Sequence, residues 1–268
     1  MNPYALISEV YDRWQETNDS SRWADYAEKI IKRHCRLSKG DGKDDSLLLL
    51  DLGCGTGSLP IEMSNRGYEV LAIDYSEEML SAAKMKDGAQ SIQFICQDIT
   101  DFELFGTVDI MVCFLDTVNH ILTERKLNSF FRLCKNYLNP GGLLIFDIAT
   151  PYYFENNLAD KTFYDIRDTF ALIWQNFYNP RKSINRAELT FFTETSDGNY
   201  LRGEETIKER SYSKDYIESV IKDNGLEIVR EYRDFTFQKP THETERIFFV
   251  VENRNDRFKE KLVKDAYE

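Results

Sequence analysis

Leu47-Leu48-Leu49-Leu50-Asp51-Leu52-Gly53-Cys54-Gly55-Thr56-Gly57 is the stretch on which the fold turns. The leucines read as a strand buried on both faces, the habit of a parallel sheet. The strand runs into glycines at alternate positions, and glycine lets a backbone turn sharply and a ligand lie against it. The turn delivers the chain into a helix whose first N–H groups face whatever sits there. A second apolar run, Val70-Leu-Ala-Ile73, closes on Asp74, a little over twenty residues after Asp51. A carboxylate at the tip of a second strand is placed to grip a ribose diol. The pattern predicts a pocket for a ribose-bearing ligand.

Outward from that turn, strands and helices alternate. Upstream, residues 3–37 read as helical, with Trp23, Tyr26, Ala27, Ile30 and Ile31 at helical spacing after the capping cluster Asp19-Ser-Ser. Residues 38–46 read as a solvated loop. Downstream come helix 58–66, strand 69–73, helix 77–86 opened by Ser76, and strands 92–96 and 108–114. A helix over 124–137 carries Leu127, Phe130, Phe131 and Cys134 on one face, and Pro140-Gly-Gly separates it from strand 143–147. Such alternation predicts an α/β fold with a doubly wound, mostly parallel sheet. Beyond Thr150 the pattern changes to three long strands, 163–178, 184–195 and 200–212, joined by the turns Asn179-Pro-Arg-Lys and Ser196-Asp-Gly-Asn. The three predict an inserted antiparallel sheet. Helix 213–224, strands 226–234 and 245–252 and a charged tail follow.

Composition narrows the function. The 268 residues carry 34 basic and 46 acidic side chains, a formal charge of −12, which argues against a nucleic-acid partner. Five cysteines (35, 54, 96, 113, 134) show no C-x-x-C pair, as expected in a reducing compartment. No apolar run is long enough for a membrane span, and Met1-Asn-Pro-Tyr lacks a signal core. A soluble, cytoplasmic protein is expected. No metal-ligand set of His, Cys, Asp or Glu stands out, so no metal is expected.

Further residues then arrive in a telling order. Phe94-Ile-Cys-Gln-Asp98-Ile99 ends the third strand with an acid and an apolar residue, suited to the amine and the face of an adenine. Asp109-Ile-Met-Val-Cys-Phe114 is a fourth buried strand, followed by Asp116, Asn119 and His120, and Asn139-Pro-Gly-Gly leads into a fifth. With the glycine loop and Asp74, these motifs resemble those of class I S-adenosylmethionine-dependent methyltransferases. The match is strong over 47–150 and continues over 213–252. More loosely, the N-terminal helices, the Asn119-His120 pair and the insertion resemble nucleotide-sugar amine N-methyltransferases and related bacterial enzymes.

The resemblance implies a seven-stranded Rossmann-like sheet whose last strand is antiparallel. It implies a cofactor-binding domain over 1–150 and 213–254, with a helical cap over 1–40. Residues 151–212 become a substrate cover or homodimer contact, and 255–268 a charged helical tail. It implies S-adenosylmethionine as cofactor. Gly53, Cys54 and Gly55 would line its methionine half, Asp51 would reach the methionine amine, and Asp74 would take both ribose hydroxyls. Tyr75 and Met79 would lie against the adenine, Asp98 would accept from its amine, and Ile99 would wall it. Phe114 would close the methionine side. Tyr11 and Trp23 would cover the sulfonium, or equally serve as helix-packing residues.

A small-molecule methyl acceptor is expected, with nitrogen slightly ahead of oxygen. His120 is the candidate base, or a turn histidine bonded to backbone, while Asp116 and Asn119 are candidates to orient the acceptor. Tyr152, Tyr153, Trp174, Arg167, Arg186 and Arg202 are candidate substrate contacts from the insertion. An RNA or protein methyltransferase and a non-catalytic cofactor-binding module are the competing readings. A nicotinamide dehydrogenase is a more distant one.

Overall fold

In the computed structural model, residues 19–37, 46–195 and 197–254 are described. Tyr11, the first part of the expected helix over 3–37, nearly all of the 38–46 loop and the tail over 255–268 lie outside them.

The main sheet holds β1 (Leu48–Leu52), β2 (Glu69–Asp74), β3 (Gln93–Cys96), β4 (Val108–Cys113) and β5 (Leu138–Ala149). Past the insertion it gains β10 (Glu227–Arg233) and β11 (Arg246–Glu252). Strand order is β10-β11-β5-β4-β1-β2-β3. β1 to β5 pair in parallel, and β11 runs antiparallel to both β5 and β10. The order reverses at β1, flanked by β2 and β4, and ligands of open α/β sheets bind beyond the strand ends at such a switch point. The glycine loop leaves β1 there.

Alternation along each strand splits the core into two layers. Leu50 and Leu52 face α4 (Glu124–Tyr137) and α5 (Lys214–Asp223), whose Phe131, Leu127 and Ile217 are fully buried. Leu49 faces the other way, toward α1 (Ser20–His34), α2 (Ser58–Asn65) and α3 (Glu77–Lys84). The helix starts follow from their caps: Asp19 accepts from Ser21 N, Ser76 from Met79 N and Thr123 from Lys126 N. No described helix is long and apolar enough to cross a membrane.

The inserted sheet has four strands, not three: β6 (Thr162–Arg167), β7 (Phe170–Asn179), β8 (Ile184–Glu194) and β9 (Tyr200–Arg210), in that order. The expected strand 163–178 folds back on itself at Asp168-Thr169, where Arg167 pairs with Phe170. Its inner face buries Phe170, Leu172, Leu189 and Phe191 against Met79 of α3. Its outer face leaves Tyr164, Ile166, Ile173 and Phe177 exposed. The insertion therefore rests on the segment that follows Asp74.

Beyond β4 the chain makes an unusual corner. Leu115 and Asp116 have φ of 59° and 62°, both left-handed. That conformation costs an L-residue roughly 1–2 kcal/mol. It feeds a 3₁₀ turn, Thr117–His120, beside the glycine loop.

Candidate active site

A cavity of about 1130 Å³ opens at the ends of β1, β2 and β4, with β9 on its far wall. Asp51, Gly53, Cys54, Gly55 and Asp74 line its floor, with Tyr75 and Met79 along one side. Asp98 and Ile99 lie beside them, and Trp23, Phe114 and His120 complete the set of expected residues brought to this one space.

The N–H groups at the start of the glycine loop are used within the fold. Gly53 N and Cys54 N both donate to the Ile73 carbonyl (2.8 and 3.0 Å), and Gly55 N donates to Asp74 Oδ2 (2.8 Å). Gly53 has a φ of 82°, and a Cβ there would lie 2.5 Å from Thr117 Cγ2. Any side chain would collide with the corner beyond β4.

The two floor carboxylates differ in what holds them. Asp74, 8% exposed, accepts from Gly55 N and, through Oδ1, from Ser76 N (2.9 Å). Burial pushes its carboxyl above the usual range, against the pull of the Ser76, Gly55 and Tyr75 amides. Asp51, 2% exposed, keeps Oδ2 without any hydrogen-bond partner. Burial first, and the charge of Asp74 second, push it up to about 8. A buried acceptor left unsatisfied costs about 1–3 kcal/mol, which a cationic donor would recover. An ammonium group fits this atom.

Asp98 is more committed. Its Oδ1 accepts from Thr100 N and Oγ1 (2.8 and 2.7 Å), and Oδ2 pairs with Lys126 (2.9 Å). Burial works upward, but Lys126 and Thr100 outweigh it and hold the carboxyl below its usual range. Trp23 packs 5.4 Å from the Phe114 ring and 4.8 Å from Phe235, with the Arg246 guanidinium 5.3 Å from its ring. Trp23 thus serves both helix packing and the cavity wall.

His120 faces the cavity from the 3₁₀ turn and donates to the Lys208 carbonyl of β9. Burial lowers its pKa, opposed by Asp116 and by that hydrogen bond, so the ring is neutral at pH 7. In the neutral ring the other nitrogen is an acceptor.

Two residues expected to orient the acceptor, Asp116 and Asn119, are not among those lining the cavity. Asn119 is fully buried: its Nδ2 donates to the Ala149 and Arg210 carbonyls, and its Oδ1 accepts from Ala149 N. With its amide saturated by backbone, it is a brace between β5 and β9. Asp116 is turned out of the cavity by the left-handed corner and pairs with Arg246. Replacing Asn119 with leucine is expected to cost about 2–4 kcal/mol, since buried backbone groups lose their partners. Chemical denaturation reads the loss; a variant as stable as wild type but without turnover would return Asn119 to an acceptor role.

The insertion meets the cavity differently from expectation. Arg167, Arg186 and Arg202 pair along their own strands with Asp165, Glu188 and Glu204. Trp174 donates to Asn176 Oδ1 inside the sheet, and Tyr152 borders a separate shallow groove. The cavity is lined instead by Thr206, Ile207 and Lys208. Thr117 and Lys126 also lie on its wall outside the expected set. Among the described residues no three His, Cys, Asp or Glu side chains could share a metal ion.

Comparison with known proteins bears on this cavity. The family described as "Methyltransferase domain" matches residues 49–142, which hold the glycine loop, Asp74, Asp98 and His120. The putative methyltransferase YqeM of Bacillus subtilis is 30% identical over 251 residues, covering 93% of this chain and 96% of that protein. A solved S-adenosylmethionine-dependent methyltransferase from Clostridium acetobutylicum is 28% identical. It superposes with a TM-score of 0.82 over 95% of this chain and all of its own. The SAM-bound CalS10 of Micromonospora echinaspora, an amino pentose methyltransferase, shares the fold at 20% identity and a TM-score of 0.66, with 89% and 95% of the chains covered.

Proposed function

The chain belongs to the class I S-adenosylmethionine-dependent methyltransferases, and from that premise we propose that it methylates a nitrogen or oxygen of a small molecule. His120 carries the reading: a neutral imidazole, oriented by the Lys208 carbonyl, in the same cavity as Asp51 and Asp74. An acceptor enclosed between the 3₁₀ turn and β9 is of small-molecule size, and the net charge of −12 disfavours a polyanionic nucleic acid.

S-adenosylmethionine, when bound, supplies an electrophilic methyl on a sulfonium whose departure as a neutral thioether needs no acid. The chain's task is to hold and align. In this reading Asp74 accepts from the ribose hydroxyls and Asp51 faces the methionine ammonium. Ile99, Met79 and Tyr75 flank the adenine, with Asp98 at its amine. Trp23 and Phe114 wall the methionine end and exclude water. Alignment of this kind is worth about 7–11 kcal/mol. His120 receives the acceptor's proton at its unprotonated nitrogen. An imidazole whose pKa burial holds below its ordinary range is a weak base that matches an ammonium better than an alcohol, which favours nitrogen over oxygen.

Incubation with methyl-labelled S-adenosylmethionine and panels of small amines, phenols and alcohols, beside bulk tRNA and peptides, tests the proposal. Label transferred to a small amine or hydroxyl supports it; transfer only to RNA or protein overturns it. His120→Ala is expected to lower turnover by roughly 10²- to 10⁴-fold, with product affinity within threefold of wild type. A fully active variant would leave His120 as a turn residue alone.

A further inference from the structure

The left-handed corner after β4 needs something to hold it. Of the non-glycine residues with positive φ among those described, Leu115 and Asp116 are the only consecutive pair. Asp116 N donates to Asp147 Oδ2 (3.2 Å), and Asn119 N donates to the Asp116 carbonyl (2.7 Å). Thr117 Oγ1 donates to the Phe114 carbonyl (2.7 Å). Across these contacts lies one guanidinium. Arg246 pairs through Nη1 with Asp116 Oδ1 and with Asp147 Oδ2.

Arg246 stands at the start of β11, opposite Ala149 at the end of β5. It therefore rises from the rigid end of the sheet directly beneath the corner. Its guanidinium also sits 5.3 Å from the Trp23 ring. The corner in turn presses on the cofactor loop, because Thr117 fills the space a Gly53 side chain would need. His120 ends the same 3₁₀ turn. Asp147 is fully buried, keeps Oδ1 without a partner, and stays raised to about 7 even beside Arg246. Replacing a buried salt bridge whole by packing residues is often neutral or stabilising, so stability alone does not account for this incompletely satisfied cluster.

We propose that Arg246 is a positioning residue for methyl transfer: by tying Asp116 to Asp147 it fixes the left-handed corner, which sets Thr117, His120 and Trp23 about the cofactor cavity. The proposal builds on the reading of this cavity as the methyl-transfer site, but not on which acceptor enters it. Lysine keeps the charge that Nη1 presents to both carboxylates but lacks the planar guanidinium that lies 5.3 Å from the Trp23 ring, so it replaces Arg246 only in part.

The test compares Arg246→Lys, Arg246→Met and Arg246→Met/Asp147→Asn with wild type. The double variant removes charge on both sides, and Arg246→Lys keeps it, so one of them remains folded if Arg246→Met does not. Calorimetry measures S-adenosylhomocysteine affinity, and NMR of the imidazole ring measures the titration of His120. The titratable groups facing the cluster are Asp116, Asp147, Glu209, Tyr153 and His120 itself. Folded Arg246→Met and Arg246→Met/Asp147→Asn are expected to bind S-adenosylhomocysteine at least tenfold more weakly than wild type, with His120 titrating at higher pH as Asp116 loses its guanidinium. Arg246→Lys should fall between. A folded variant with unchanged affinity and an unmoved His120 titration would make Arg246 a purely structural residue and overturn the proposal. Neither readout uses an acceptor, so failure here is separate from failure of the small-molecule reading. Loss of S-adenosylhomocysteine binding by wild type would instead remove the cavity assignment.

Discussion

Asp74→Ala is expected to weaken S-adenosylmethionine binding by roughly 10²- to 10⁴-fold, the largest effect on cofactor affinity of any single substitution in the cavity. Two charge-assisted hydrogen bonds to a ribose diol are worth about 1.5–3 kcal/mol each, and both vanish together. The carboxylate is set for this before any ligand arrives, because Gly55 N and Ser76 N already fix its plane. The ligand therefore meets a group that needs no reordering. Removal of the carboxyl relieves a desolvation cost in the free protein but leaves Gly55 N and Ser76 N without their acceptor, so the loss of affinity is read on protein shown to be folded. Asp74→Asn, which keeps one acceptor, should lose only about 10- to 100-fold, in line with one good bond. Calorimetry on the three proteins checks the series, with thermal melts alongside. An Asp74→Ala protein that binds as wild type would remove the ribose from this position.

Much of this was legible because it is local. Buried strands of the main sheet announce themselves as apolar runs, and the helix starts at Ser76, Thr123 and Ser213 follow from side chains that cap their own backbone. Asp51, Asp74 and Asp98 sit at or just past the ends of β1, β2 and β3, so strand assignment alone carries them to one edge of the sheet. The insertion was harder. Asp168-Thr169 makes a two-residue hairpin without the glycine or asparagine that usually marks one, so β6 and β7 read as a single strand.

Residues after β4 pose a different problem. Asp116 and Asn119, expected to orient the acceptor, follow β4 as the candidate base His120 does, and spacing alone does not say which side chains face the cavity. Which of them face it depends on the left-handed turn at Leu115 and Asp116; aspartate is enriched in that conformation but leucine is not, so the pair gives no clear signal. The turn sends Asp116 to Arg246, more than a hundred residues away, and Asn119 to Ala149 and Arg210. Thr206, Ile207 and Lys208 reach the cavity only because the inner face of the insertion docks on Met79. No local pattern encodes a docking between two sheets.

Asp51 ties cofactor affinity to pH in a direction that can be worked out. In the free protein its carboxyl is raised to about 8, so it is mostly protonated at pH 7. Pairing with a ligand ammonium requires the ionised form, so binding must release a proton. Affinity should then rise with pH from 6 to 8, approaching tenfold per unit at the lower end. Above that range the ligand's own α-amino group, with a reference pKa of about 7.7–8.0, begins to lose its charge, and affinity turns down. Stability of the free protein moves the other way. A folded pKa above the unfolded value near 3.9 means that Asp51's contribution is fully present below pH 4 and is lost as pH climbs toward 8. Asp51→Asn removes Asp51's share of both dependences. It should stabilise the ligand-free protein at pH 8 while weakening cofactor binding there by roughly 10- to 100-fold, the loss of one charge-assisted bond. Below pH 6 the two proteins should bind alike, with Asp74, also raised by burial, leaving a shallower slope in the variant. Calorimetry at pH 6, 7 and 8 in two buffers of different ionisation heat reads the released proton directly. Equal slopes in wild type and Asp51→Asn would show that the methionine ammonium is held elsewhere, and the orphaned Oδ2 of Asp51 would then need another donor.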